Sequence, residues 1–127
     1  MKKIGFITKN NVLAQSLAYF IKSNPDLPFE PYMLQNPDQA AVEADILKID
    51  VAVVEVSAGT ANEADKALAL CSQFRTAAPE CRILLLVPQG SREVRDMAIK
   101  AVNSKIIDDY VFLDTSLDYF LAKLLAM

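Results

Sequence analysis

The sequence predicts an α/β domain built on a single parallel sheet of five strands. Short apolar runs alternate with longer amphipathic segments along all 127 residues. Two of the runs, residues 51–56 and 83–87, are apolar at almost every position, as suits strands covered on both faces. The segments between the runs have the period of helices rather than strands. Strict alternation of this kind implies parallel pairing through right-handed crossovers.

Residues 4–8 read as a buried strand. Asn10 stands where it can cap the next helix, in which Val12, Leu13, Leu17, Phe20 and Ile21 recur at helical spacing. Ser23, Asn24 and Pro25 end that helix. Residues 29–35 form a second strand, and Pro31 within it removes a ladder donor, which assigns the strand to a sheet edge. Asn36 and Pro37 supply an N-cap followed by proline at the first helical position. The helix they open runs to about Lys48 and turns Ala40, Ala41, Ala44 and Leu47 inward.

Asp50 introduces the third strand, 51–56, and a flexible loop with Ser57, Gly59 and Thr60 leads to a helix over 62–77, ended by Pro79. After the fourth strand, 83–87, Pro88, Gln89, Gly90 and Ser91 break the run and cap a helix reaching about Val102. Residues 106–112 give the last strand. Thr115 with Asp118 resembles a capping box for a final helix carrying Leu117, Phe120, Leu121, Leu124 and Leu125. With the Pro31 strand at the edge, the order is flavodoxin-like, 2-1-3-4-5, a (βα)5 three-layer sandwich. Without a repeat or linker, residues 1–127 read as one domain.

Composition excludes several functions. The net charge is −3, and the lysines and arginines are scattered, only Lys2 and Lys3 being adjacent, so no basic face is available for nucleic acid. The chain has no histidine, which removes Ser-His-Asp and Cys-His catalysis. Two cysteines, Cys71 and Cys81, cannot close a zinc site and read as reduced, buried thiols. Three glycines form neither a dinucleotide-binding nor a P-loop motif. The apolar run after Lys3 is too short for a signal peptide, and no stretch is long enough to span a bilayer. A soluble cytoplasmic protein that is not an enzyme and holds no metal or cofactor is expected.

In an open parallel sheet, sites collect at the carboxyl ends of the strands. This singles out Thr8, Lys9 and Asn10, then Glu55 to Ser57, Val87 to Gly90, and Phe112 to Asp114. Across essentially the whole chain the sequence resembles the receiver domains of bacterial response regulators, the CheY-like family. The stretch Asp50-Val-Ala-Val-Val-Glu55 looks like that family's strand leading to its phosphoacceptor. Pro79-Glu-Cys-Arg-Ile-Leu-Leu-Leu-Val87 and Asp108-Asp109-Tyr110-Val111 carry the rest of the resemblance. A few residues around 102–105 are extra to its spacing.

The resemblance implies a phosphoryl-transfer site. In the family an acidic pair after the first strand holds magnesium, an aspartate ends the third, a hydroxyl ends the fourth and a lysine ends the fifth. Here the acidic pair aligns with Thr8 and Lys9, the acceptor with Glu55, the hydroxyl with Val87 and the lysine with Leu113. Magnesium-dependent phosphorylation is therefore not expected, and the chain reads as an atypical receiver, a pseudo-receiver. Glu55 is either a permanent charge standing in for a phosphorylated aspartate, an ion-pair partner of Lys9, or part of a ligand site of unknown chemistry. Asp108 and Asp109 read as a solvated turn before the last strand.

Receivers communicate through the face made by the fourth helix, fifth strand and fifth helix, and the resemblance extends that face to a protein partner or a homodimer here. Tyr110 and Tyr119 are its candidates, whereas Phe112 and Phe120 are assigned to the core. Similar atypical receivers precede output domains, including ParA-like localisation ATPases and DNA-binding regulators, so an output domain beyond Met127 in a longer parent is one expectation. The leading function is a phosphorylation-independent interaction module in two-component-type signalling, regulation or localisation. The competing one is a flavodoxin-like domain that binds a small ligand at the strand ends, with or without enzymatic activity.

Overall fold

Strands that are apolar on both sides need two covering layers, and the alternating helices supply them. The computed structural model describes residues 1–127 and contains β1 (Lys2–Ile7), α1 (Asn11–Ser23), β2 (Phe29–Met33), α2 (Pro37–Leu47), β3 (Val51–Glu55), α3 (Ala61–Ala77), β4 (Arg82–Val87), α4 (Arg92–Asn103), β5 (Asp109–Phe112) and α5 (Leu117–Ala126). All neighbouring strands are parallel, in the order β2-β1-β3-β4-β5, with the Pro31 strand at the edge as its chemistry requires.

Successive strand residues point to opposite faces. Val51 and Val53 of β3 with Leu84 and Leu86 of β4 enter one core, which α1 and α5 close with Ala14, Ile21, Phe120 and Leu124. Ala52, Val54, Ile83 and Leu85 enter the other, beneath α2, α3 and α4. Those three helices meet the sheet mainly through alanines (Ala40, Ala44, Ala64, Ala67, Ala98 and Ala101), with Phe74 as the largest side chain. Small contact residues let the layer sit close. At Gly5 a Cβ would come within 3.0 Å of Leu34 Cδ1 and 3.2 Å of Ile49 Cγ2. No polar or charged residue is buried in either core.

Asn10, Asn36 and Ser91 cap α1, α2 and α4 as the sequence predicts, accepting from the amides of Leu13, Asp38 and Val94. Other expectations are corrected. Helix α5 is capped by Ser116, which accepts from the Tyr119 amide at 3.1 Å, and not by Thr115, whose own amide is tied back to Phe112 O. Val12 is 76% exposed; Ala14 and Ile21 take the buried stripe of α1. The last strand starts at Asp109 rather than 106, because the amides of Ile106 and Ile107 both turn back to Ala101 O to close α4. Lys105 makes that reversal in the left-handed region, at φ 62°. Strands β1 and β2 end one and two residues before the expected positions.

Asp108 and Asp109 are not a solvated turn. Asp108 Oδ2 accepts from the Ile83 amide and from Arg75 Nη2, both at 2.7 Å, while its own amide donates to Ile83 O. Asp50 repeats the reciprocal pair between β3 and β1: its carboxylate accepts from the Lys3 amide at 2.8 Å and its amide donates to Lys3 O. Each aspartate thus seals the amino end of the neighbouring strand. Arg75 extends the seal, donating from Nε to Ile106 O at 3.0 Å and from Nη1 to Cys81 O at 3.2 Å. Asp109 is bridged by Lys123 at 2.5 Å, tying α5 to β5.

Arg75→Met, measured by urea unfolding, is expected to lower stability by about 2 kcal/mol, the scale of a lost charge-assisted hydrogen bond with its partners left facing the rim. Arg75→Lys should restore only part of it, because an ammonium cannot span the three acceptors that the planar guanidinium reaches.

Candidate functional site

The register of β1 on β3 sets Ile7 beside Val54, so the next residues, Thr8 and Glu55, emerge side by side above the sheet. The Thr8 hydroxyl donates to Glu55 Oε1 and accepts from the Asn10 amide at 2.9 Å. Both side chains are half-buried. The expected Lys9–Glu55 ion pair is not formed: no lysine or arginine nitrogen lies within 4.0 Å of the Glu55 carboxylate. The turn that Thr8 makes onto Asn10 leaves Lys9 exposed, and its charge acts on Glu63 instead.

The remaining aligned positions lie apart from this pair. Val87 is fully buried in the core beneath α2, α3 and α4. Leu113 packs against the opposite core. Neither presents a polar group to the strand ends.

The loop from Ser57 to Thr60 is tied at both ends to the start of α3. Ser57 Oγ donates to Glu63 Oε2 at 2.6 Å, and Thr60 caps α3 by accepting from the Glu63 amide at 3.3 Å. Lys66 completes the arrangement, its Nζ lying 3.4 Å from Glu63 Oε1. The Ser57 hydrogen bond, followed by the Lys66 and Lys9 charges, holds the Glu63 carboxyl below the usual range for glutamate. Sequence reasoning missed Glu63, although Thr60-Ala-Asn-Glu63 has capping-box spacing that marks both residues at a helix start.

Beside this network a cleft of about 630 Å³ opens between the ends of β1, β2 and β3 and the first turns of α2 and α3. Its floor is apolar, made by Ile7, Leu34, Val54 and Leu70, and Thr8, Lys9 and Glu55 stand at its rim. Cys71 and Cys81 take no part: both are free thiols in the core, and burial pushes each thiol up to about 12. Neither carries appreciable thiolate at neutral pH.

The two tyrosines singled out for a binding face differ in setting. Tyr110 is half-buried over the core, its ring edge-on to Phe112 with centroids 5.8 Å apart. Tyr119 is 50% exposed on α5, with Lys123 Nζ 5.6 Å from its ring centre. The hydrogen bond from Lys123 to Asp109 raises the lysine pKa. No helix is long and apolar enough to cross a membrane.

No protein-family model and no curated protein matches the chain. Solved structures do. A response regulator from Burkholderia pseudomallei, crystallised with a phosphorylated aspartic acid, a calcium ion and citrate, is 24% identical with a TM-score of 0.73 over 96% of this chain. This chain spans 65% of that protein's length. A two-component response regulator from Clostridium difficile is 21% identical, with a TM-score of 0.74 over 99% of this chain and 94% of its own. The receiver domain of Klebsiella pneumoniae RstA, activated with BeF3, is 17% identical, with a TM-score of 0.76 over 98% of this chain and 97% of its own. The fold is that of receiver domains.

A carbon-detected NMR titration is expected to place the Glu63 midpoint below the ordinary glutamate value of about 4.3. Ser57→Ala should move it back up. The stability contributed by this depression is present above the unfolded value and is lost as pH falls through the lowered one.

Proposed function

We propose that this chain is a receiver-like signalling module that works without phosphorylation and acts through contacts with other proteins. The observation that carries this reading is the chemistry at the strand ends. A magnesium-dependent phosphoryl site needs carboxylates to hold the metal and a cation and hydroxyl to meet the transferred group. The end of β1 offers Thr8 and Lys9, and the corresponding ends of β4 and β5 offer Val87 and Leu113, both packed into cores.

In this reading Glu55 is a fixed negative charge at the phosphoacceptor position, held by the Thr8 hydroxyl. It carries one unit of charge where a phosphoryl group carries up to two, so it biases the domain toward one state more weakly than phosphorylation would. The state is permanent, which suits a constitutive adaptor in two-component-type signalling, regulation or localisation in the cytoplasm. The partner, or a second copy, meets the face of α4, β5 and α5. Ile99 (39% exposed), Leu117 (37%) and Tyr119 (50%) give that face its apolar contacts. Tyr119 is its anchor, since exposed aromatics dominate interface energetics. An output domain following this segment belongs to the same reading.

Incubation with magnesium and acetyl phosphate, read by intact mass, is expected to leave the mass unchanged; a stable adduct of one phosphoryl group would overturn the proposal. Sedimentation across concentration tests the face. Self-association that Tyr119→Ser weakens is the expected result, and a strict monomer at every concentration removes the homodimer in favour of a different partner.

A further inference from the structure

We infer that the cleft at the carboxyl ends of β1, β2 and β3 binds a small organic amine, with Glu55 receiving the ligand's ammonium group and the apolar floor receiving its carbon chain. The cleft lies at the β1/β3 junction, where a sheet of order 2-1-3-4-5 reverses its winding and opens a crevice. Its volume of about 630 Å³ falls within the range of small-molecule pockets.

The charges on its walls decide what can enter. Glu63 is already satisfied, by Ser57 on one oxygen and Lys66 on the other. Three charged groups remain without an ionic partner: Glu55, Asp38 in the first turn of α2, and Lys9. Glu55 is the half-buried one of the three. The Thr8 oxygen accepts from the Asn10 amide, which directs the hydroxyl proton onto Glu55 and leaves the carboxylate as acceptor. A carboxylate has about four acceptor sites, and Thr8 fills one. The group that completes this site must therefore donate hydrogen bonds, and a positive charge makes those bonds strong. An anion is repelled from the same place.

Beyond the ammonium, the ligand's far end has two choices of opposite sign. Asp38 suits a second ammonium, as in a diamine; Lys9 suits a carboxylate, as in an amino acid. The inference rests on the cleft and on the open acceptor sites of Glu55, not on the signalling proposal; where the Glu55 charge sets the state of the module, a bound ammonium neutralises it and makes that state depend on the ligand.

The test is a proton–nitrogen NMR titration of the whole chain with four probes of one carbon-chain length: butylamine, putrescine, γ-aminobutyrate and butyrate. Saturable shifts at the amides of Thr8, Leu34, Glu55 and Leu70 are expected with the three amines and not with butyrate. Glu55→Gln should weaken butylamine about tenfold, the scale of one charge-assisted hydrogen bond. Asp26→Asn, an exposed carboxylate away from the cleft, should leave it unchanged. Selective weakening of putrescine by Asp38→Asn identifies a diamine, and selective weakening of γ-aminobutyrate by Lys9→Met identifies an amino acid. Absence of saturable shifts with all amines, equal binding of butyrate, undiminished binding to a folded Glu55→Gln chain, or equal weakening by Asp26→Asn would overturn the inference.

Discussion

A parallel sheet covered on both faces admits no polar side chain along its length, and this constraint organises the whole molecule. Val51, Val53, Ile83 and Leu84 leave no room for a carboxylate or an amine between the layers, and none is buried there. On β1, β3 and β4 the polar side chains stand at one end or the other: Lys2, Lys3 and Arg82 at the amino ends and Glu55 at a carboxyl end. The hydrogen bonds that seal the fold and the groups available for chemistry are consequently separated by the length of a strand.

The two ends solve different problems. At the amino end, Asp50, Asp108 and Arg75 spend their hydrogen bonds on backbone amides and carbonyls that the strands leave open. At the carboxyl end the polar residues satisfy one another in short chains, Asn10 to Thr8 to Glu55 and Lys66 to Glu63 to Ser57, and stop short of closing the surface. The difference lies in the charges: at the amino end half-buried Asp108 is paired with Arg75, whereas at the carboxyl end half-buried Glu55 lines the larger cleft with no cation within 4.0 Å.

Much of the fold was legible because its signals are local. The continuous apolarity of β3 and β4, Pro31 in an edge strand and asparagine or serine before three helices each follow from residues adjacent in sequence. The site was legible in position but not in its bonds. Glu55 and Thr8 belong together because Ile7 and Val54 pair, whereas Lys9 turns away because the next backbone amide claims Thr8. A one-residue change of direction separates those outcomes, and spacing does not encode it. Arg75 reaches Asp108 across 33 positions in the chain, a distance that no local pattern reports. Thr115 and Ser116 are neighbouring residues of the same capping type, and the folded geometry alone brings the Ser116 hydroxyl to the Tyr119 amide.

Pro31 has a further effect on how this domain can be approached. The amide of Leu34 donates to Phe6 O and Pro28 O accepts from Lys2, so even-numbered positions on β2 turn their backbone toward β1 and Pro31 faces outward. The middle of the free edge therefore lacks an amide donor. A strand from another molecule could not complete an unbroken ladder there, so extension of the sheet is disfavoured on that side. At the opposite edge β5 offers only four residues. Neither edge of the sheet therefore offers a long, unbroken row of backbone donors and acceptors.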